Sequence, residues 1–179
     1  MRISLRMVLV ALVAFVAIGG FISTIPSEPK ATPLAENVRS GQCDSGAGVS
    51  LVIDFGTSSN REVEEFCVTE FESTGWDLFA AAAVSAQGTS EYPTGFVCRL
   101  EGWPTAEAQP CTKTPTAAQG SWAYFIADAG SQEWQYSGQG AAMRKPQCGA
   151  VDAWRFVEPG ENVLQSMPRV EPSSFACNE

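Results

Sequence analysis

Ser121–Tyr136 reads SWAYFIADAGSQEWQY, two ring-rich runs on either side of Asp128-Ala129-Gly130-Ser131. Gly accepts left-handed backbone and Asp bonds its own backbone locally, so the quartet predicts a turn. Before it, Trp122, Tyr124 and Ile126 share one parity and Ala123, Phe125 and Ala127 the other. Strand side chains alternate between faces, which gathers the larger rings on one of them. Beyond the turn, Trp134 and Tyr136 again share a parity. The stretch predicts a β-hairpin with an aromatic face. That face needs a cover, either a helix of the same chain or a ligand.

Outward from the hairpin, the same periodicities give the other elements. Val49–Phe55 alternates Val49, Leu51, Ile53 and Phe55 with Ser50, Val52 and Asp54, a strand with one apolar face. Glu62–Glu72 is read as a strand, although Val63, Phe66, Cys67 and Phe71 also suit a helical turn. Thr74–Gly88 predicts a helix. Thr74 and Asp77 suit a variant capping box, Trp76, Phe79, Ala80, Ala83 and Val84 follow helical spacing, and Gly88 stops the run. Thr94–Leu100 and Ala150–Val157 are further strands. The predicted order is β-β-α-β-β-β-β, an α+β domain with one helix packed on a mixed sheet.

The chain has 179 residues, 45% apolar and 17% charged, which suits one domain plus a targeting segment. From Gly41 onward 18 Asp and Glu face 7 Lys and Arg, a net of −11, against −9 for the whole chain. An acidic exterior repels phosphate backbones, so nucleic acid is not expected as a partner. Histidine is absent. That removes Ser-His-Asp and Cys-His catalysis and the commonest zinc and haem ligand.

Six cysteines stand at Cys43, Cys67, Cys98, Cys111, Cys148 and Cys177. An even count without any C-x-x-C pair reads as three disulfides in an exported, disulfide-stabilised domain. Fifteen pairings are formally open. The nearest-neighbour set, Cys43–Cys67, Cys98–Cys111 and Cys148–Cys177, is the one expected here.

At the N-terminus, Arg2 and Arg6 precede Met7–Ile25, nineteen residues with only Ser23 and Thr24 as polar interruptions. The arginines orient the downstream chain outward. Residues 1–25 read as a signal peptide or as an N-terminal membrane anchor, the only contact with a membrane that the sequence predicts. Residues 26–42, with Pro26, Pro29 and Pro33, read as a flexible linker. Residues 43–179 then form the extracytoplasmic domain.

With these elements in place, VSLVIDFG, GWDLFAAA, TGFVCRLEG, SWAYFIADAG and VDAWRF together resemble a set of small secreted actinobacterial proteins. Those in turn are similar to the β-grasp C-terminal domain of the cobalamin carriers transcobalamin and intrinsic factor. Gly75, Asp77, Leu78, Phe79 and Ala81 stand where that domain's helix phrase does, and Trp122 and Tyr124 where its aromatic pair does. The resemblance spans roughly Val49–Val157 and implies a β-grasp-like fold. In the carriers this domain lies over one face of the corrin while a helical barrel holds the other. These 179 residues contain no such barrel, so the resemblance implies a transporter or helical partner subunit. It also implies a link to vitamin or metal uptake.

Trp122, Tyr124, Trp134, Tyr136 and Trp154 have two readings. They form a stacking platform for a small flat ligand, or they form the core beneath the Ala-rich helix. Trp103, between Gly102 and Pro104, is the aromatic expected to be most exposed and the first expected ligand contact. Asp54, Asp128 and Asp152 are scattered carboxylates expected to cap turns or face solvent. No catalytic residue is assigned, no cofactor is expected, and the chain is read as non-catalytic. The acidic run Glu62–Glu72 lacks the ligand spacing of a calcium loop, so no metal site is assigned. Arg144-Lys145 is a cationic pair with the capacity to hold an anion. The functional expectation is a binding or accessory module outside the cytoplasm. The alternative is a structural or protein-interaction domain of the cell envelope.

Overall fold

The computed structural model describes residues 35–177. The apolar segment 1–25 and the first part of the expected linker lie outside the described residues. Eight strands form: β1 Val38–Ser40, β2 Val49–Asp54, β3 Glu64–Val68, β4 Ala86–Gly88, β5 Val97–Leu100, β6 Ser121–Ala127, β7 Gln135–Tyr136 and β8 Val151–Val157. Among the described residues one short helix, α1 Asp77–Ala81, and a 3-10 turn, Val163–Gln165, accompany the strands. The main sheet has the order β1-β3-β2-β8-β6-β7, and β4 and β5 make a separate two-stranded sheet. Strands β2 and β8 run parallel at the centre, with Leu51 beside Asp152 and Ile53 beside Trp154. Every other pairing is antiparallel, so the sheet is mixed as expected.

Both faces of this sheet are covered, and the alternation of side chains decides what lies on each. Leu51, Ile53, Trp122, Tyr124, Trp154 and Phe156 share one core with Leu78, Phe79 and Leu100. Val52, Ala123, Phe125, Val151 and Ala153 form a second, smaller core on the reverse face. Its cover is not a helix but the C-terminal tail together with Trp134, through Val163 and Val170. The tail is fixed there by charge. Asp54, fully buried, accepts the Arg169 backbone N–H and the Arg169 Nε–H, each at 2.9 Å. Arg155 Nε lies 3.4 Å from Oδ2 of the same carboxylate.

The helix is much shorter than its sequence period predicts. Thr74 and Asp77 do form the expected reciprocal cap, Asp77 N–H donating to Thr74 Oγ1 at 3.3 Å and Thr74 Oγ1 to the Asp77 carboxylate at 2.6 Å. Hydrogen bonds from Ser73 and then Thr74 hold the Asp77 carboxyl below its usual range. The helix ends one turn later, because Ala83 takes a left-handed conformation, φ 58°, and Val84 N–H bonds back to Phe79. Ala86–Gly88 then leaves as β4 and pairs with β5. The expected Thr74–Gly88 helix is therefore one turn followed by a strand.

Two further expectations change. Val38–Ser40 lies within the segment read as linker, yet it pairs with Val68, Cys67 and Phe66 of β3, so the folded body includes residues ahead of Cys43. The hairpin turn forms, Ser131 N–H bonding to Asp128 O at 2.8 Å with Gly130 at φ 80°. Its second arm is only Gln135–Tyr136, and Tyr136 stands opposite Phe125, not on the face of Trp122 and Tyr124.

The disulfides are Cys43–Cys67, Cys98–Cys111 and Cys148–Cys177, and no cysteine is free. Three such bonds are the product of an oxidising, extracellular type of environment. Among the described residues no helix is long and apolar enough to cross a membrane.

Candidate functional site

The central pair of β6 and β8 brings Tyr124 opposite Trp154 and Trp122 opposite Phe156. Tyr124 and Trp154 stack at 4.7 Å between centroids with 16° between planes, and Trp122 meets Phe156 edge-on at 5.6 Å. Cross-strand ring pairs of this kind stabilise a sheet by about 0.5–1.5 kcal/mol each beyond the area they bury. These rings are core. Their outer margin also bounds a cleft of about 220 Å³, closed by Gly95–Val97 on one side and Tyr136–Ala141 on the other. No residue bounding it carries a formal charge at neutral pH, which is unusual in so acidic a chain.

Behind the cleft lies a buried polar network. Asp152, on the same parity as Trp154 and Phe156, is fully buried. Its Oδ2 accepts the Tyr124 hydroxyl and its Oδ1 accepts Arg144 Nε–H at 3.1 Å. Arg144 Nη2 donates to Asp128 at 2.9 Å, which ties the hairpin turn to the same guanidinium. Burial pushes the Tyr124 hydroxyl far above its ordinary pKa, aided by the Asp152 charge. Burial also raises the Asp152 carboxyl, against the opposing pull of Tyr124 and Arg144. The Arg144 guanidinium is lowered by burial but raised overall by its two carboxylate partners. Gly75 N–H donates to Arg144 O at 2.9 Å, and a Cβ on Gly75 would lie 2.6 Å from Asp152 Oδ2 and 2.7 Å from the Tyr124 hydroxyl oxygen. The network thus locks the loop 141–144 and the start of α1 onto the sheet.

Of the six aromatics singled out in the sequence, Trp122, Tyr124 and Trp154 border this cleft from the central strands and Tyr136 from the edge strand β7. Tyr136 is half exposed, at 49%, and its ring meets Phe125 edge-on at 5.7 Å. Trp134 is elsewhere: its indole N–H donates to Val170 O at 2.8 Å beneath the tail. Trp103 is not the exposed aromatic that its loop predicts. It is half-buried, packs edge-on against Phe156 at 6.0 Å, and its carbonyl accepts the Trp122 indole N–H at 3.3 Å. Phe96 and the loop Ser137–Ala141 were not singled out by sequence, and only the glycines at 138 and 140 hinted that backbone comes near a surface there.

Asp54 caps a turn as expected, accepting the Gly56 N–H at 3.0 Å, but neither it nor Asp152 faces solvent; each is buried against arginine. Such burial is costly unless the charge is paired and hydrogen-bonded, and both are. These carboxylates are fasteners of chain segments. Among the described residues no group of three His, Cys, Asp or Glu side chains is placed to hold a metal ion.

A second cleft, of about 420 Å³, lies at the other end of the sheet between residues 47–48, 70–72 and 145–148. Glu70, Glu72 and Lys145 are exposed along it. Searches of protein-family models, of curated proteins and of solved structures find no match to this chain.

Proposed function

We propose that this chain is an extracytoplasmic, non-catalytic accessory module that contributes one aromatic-walled, uncharged cleft to the binding of a ring-bearing small molecule. The observation that carries the reading is the convergence of Trp122, Tyr124 and Trp154, with Phe96 beside them, at one uncharged cleft. Ligand sites that enclose a whole small molecule run to roughly 300–1,000 Å³, and this cleft is smaller. It suits the edge of a flat ligand whose remainder is held by a partner subunit, a transporter component or a helical protein. A β-grasp assignment is supported by the parallel centre β2–β8, flanked by β3 and β6, with α1 in the connection that leads from the β2–β3 hairpin to β6. A corrinoid belongs to the ligand class that this resemblance implies, and vitamin or metal uptake is the corresponding role. Outward-facing export through the segment 1–25, cleaved or anchored, accords with the three disulfides.

The alternative, a protein-interaction domain of the envelope, draws support from β7. This edge strand is two residues long, and it presents Tyr136 half exposed at the margin of the sheet. The test is equilibrium binding of the oxidised full chain to cyanocobalamin and to a planar aromatic probe such as indole, alone and with the native membrane fraction. The accessory reading expects binding that strengthens when membrane partners are present and weakens in Phe96→Ala. No binding in either setting overturns it.

A further inference from the structure

Two charged motifs far apart in the sequence meet at the larger cleft, and the aromatic site does not use them. Glu70-Phe71-Glu72 follows β3, and Lys145-Pro146 precedes β8; together they bound the same 420 Å³. The size lies within the range of sites that enclose a small molecule. Arg39, Arg61, Arg144, Arg155 and Arg169 each lie beside a carboxylate, whereas among the described residues Arg99, Lys113 and Lys145 do not. Glu70, Glu72 and Lys145 make no side-chain ion pair or hydrogen bond among the described residues, although the three border one cavity.

The walls are stiff. Gly48 packs so closely that a Cβ there would lie 2.9 Å from Cys43 Sγ, within the Cys43–Cys67 disulfide. Gly149 N–H donates to Gly48 O at 2.8 Å, joining the two loops that face Glu70 and Glu72. Cys148 is tied to Cys177 at the rim.

We infer that this cleft is a binding site for a small zwitterion of the free amino-acid class, its ammonium held by Glu70 and Glu72 and its carboxylate by Lys145. A lone metal cation would find only two carboxylates and an opposing ammonium. A lone anion would meet one lysine and two glutamates. A ligand carrying both charges satisfies all three side chains with charge-assisted hydrogen bonds. Phe71, half-buried and packed against the main core, borders the cleft between the two glutamates.

The test is isothermal titration of the oxidised full chain with L-alanine, L-glutamine and L-phenylalanine, using ethylamine and propionate as single-charge controls. The inference expects at least one amino acid to bind and both controls to bind about tenfold more weakly or not at all. Lys145→Met, and separately Glu70→Gln with Glu72→Gln, each weaken amino-acid binding about tenfold, whereas Lys145→Arg retains most of it. All three side chains are exposed and unpaired, so an unchanged melting temperature confirms that these variants are folded. No amino-acid binding, binding indifferent to the substitutions, or equal binding of ethylamine overturns the inference.

Discussion

Gly75→Ala tests the buried network with a single methyl group. The added Cβ would lie 2.6 Å from Asp152 Oδ2, 2.7 Å from the Tyr124 hydroxyl oxygen and 3.4 Å from Ala141 O. Neither side chain has room to retreat, since Asp152 is fully buried and Tyr124 is stacked on Trp154. Overpacking of this kind costs about 1–3 kcal/mol. Forcing apart the Tyr124–Asp152 hydrogen bond adds about 1.5–3 kcal/mol, the usual worth of a bond to a charged group. Stiffening the unfolded chain returns about 0.4–1 kcal/mol. The net loss is about 3 kcal/mol, which lowers the melting temperature of a domain this size by about 10 °C. Thermal unfolding followed by circular dichroism, with disulfides intact, measures it. Gly138→Ala is the matched control: no atom lies within 4 Å of its added Cβ, so it keeps only the stiffening gain and holds or slightly raises the midpoint. Adding Tyr124→Phe to Gly75→Ala removes one of the two clashing oxygens, so the double variant loses less than the sum of the singles. A Gly75→Ala midpoint equal to that of Gly138→Ala refutes the close packing of the network.

Asp54→Ala strands Arg155 in the interior and releases Arg169, at a cost of about 3–5 kcal/mol, and hydrogen exchange at the Arg169 amide rises with it. Exchange at Arg169 equal to that of the parent would show that the tail is held by other means. Opening the Cys43–Cys67 loop with paired Ser substitutions costs about 3.5 kcal/mol, and opening the shorter Cys98–Cys111 loop about 3 kcal/mol, read from denaturant midpoints. The pH test concerns Asp152. Burial raises its carboxyl, so the folded chain keeps a proton that the unfolded chain releases. The stability it confers is full below the ordinary carboxylate range and is lost as pH rises through the raised value. Asp152→Asn has no such proton, so its deficit against the parent shrinks as pH rises above the ordinary carboxylate range. A deficit that widens toward neutrality contradicts the burial argument.

The elements legible in the sequence are those whose alternation is complete on one strand. Val49–Asp54 and Val151–Val157 show their apolar parities openly, and they become the buried centre of the sheet. Glu64–Val68 was legible only as the preferred of two readings, because its apolar residues also fit a helical turn. The helix failed at its C-terminal half for a physical reason. Ala80 and Ala83, which fit the helical stripe, are exposed, and the chain gains more by pairing Ala86–Gly88 with β5 than by continuing a turn with little to bury. Asp152 carries a signal in its parity: an acid in register with Trp154 and Phe156 must be buried and therefore paired. Its partner Arg144 sits eight residues away in a Gly/Ala loop, where no periodicity marks it. The clefts are the least legible, since one is assembled from three and the other from four segments distant in sequence.

The account rests on a folded body closed by three nearest-neighbour disulfides in an oxidising compartment. Non-reducing peptide mapping of the native full chain, taken from cells with thiols blocked at lysis, tests this most directly. The account predicts the linked peptides Cys43–Cys67, Cys98–Cys111 and Cys148–Cys177 and no blocked thiol. Blocked thiols at these six positions, or a different set of linked peptides, would contradict it.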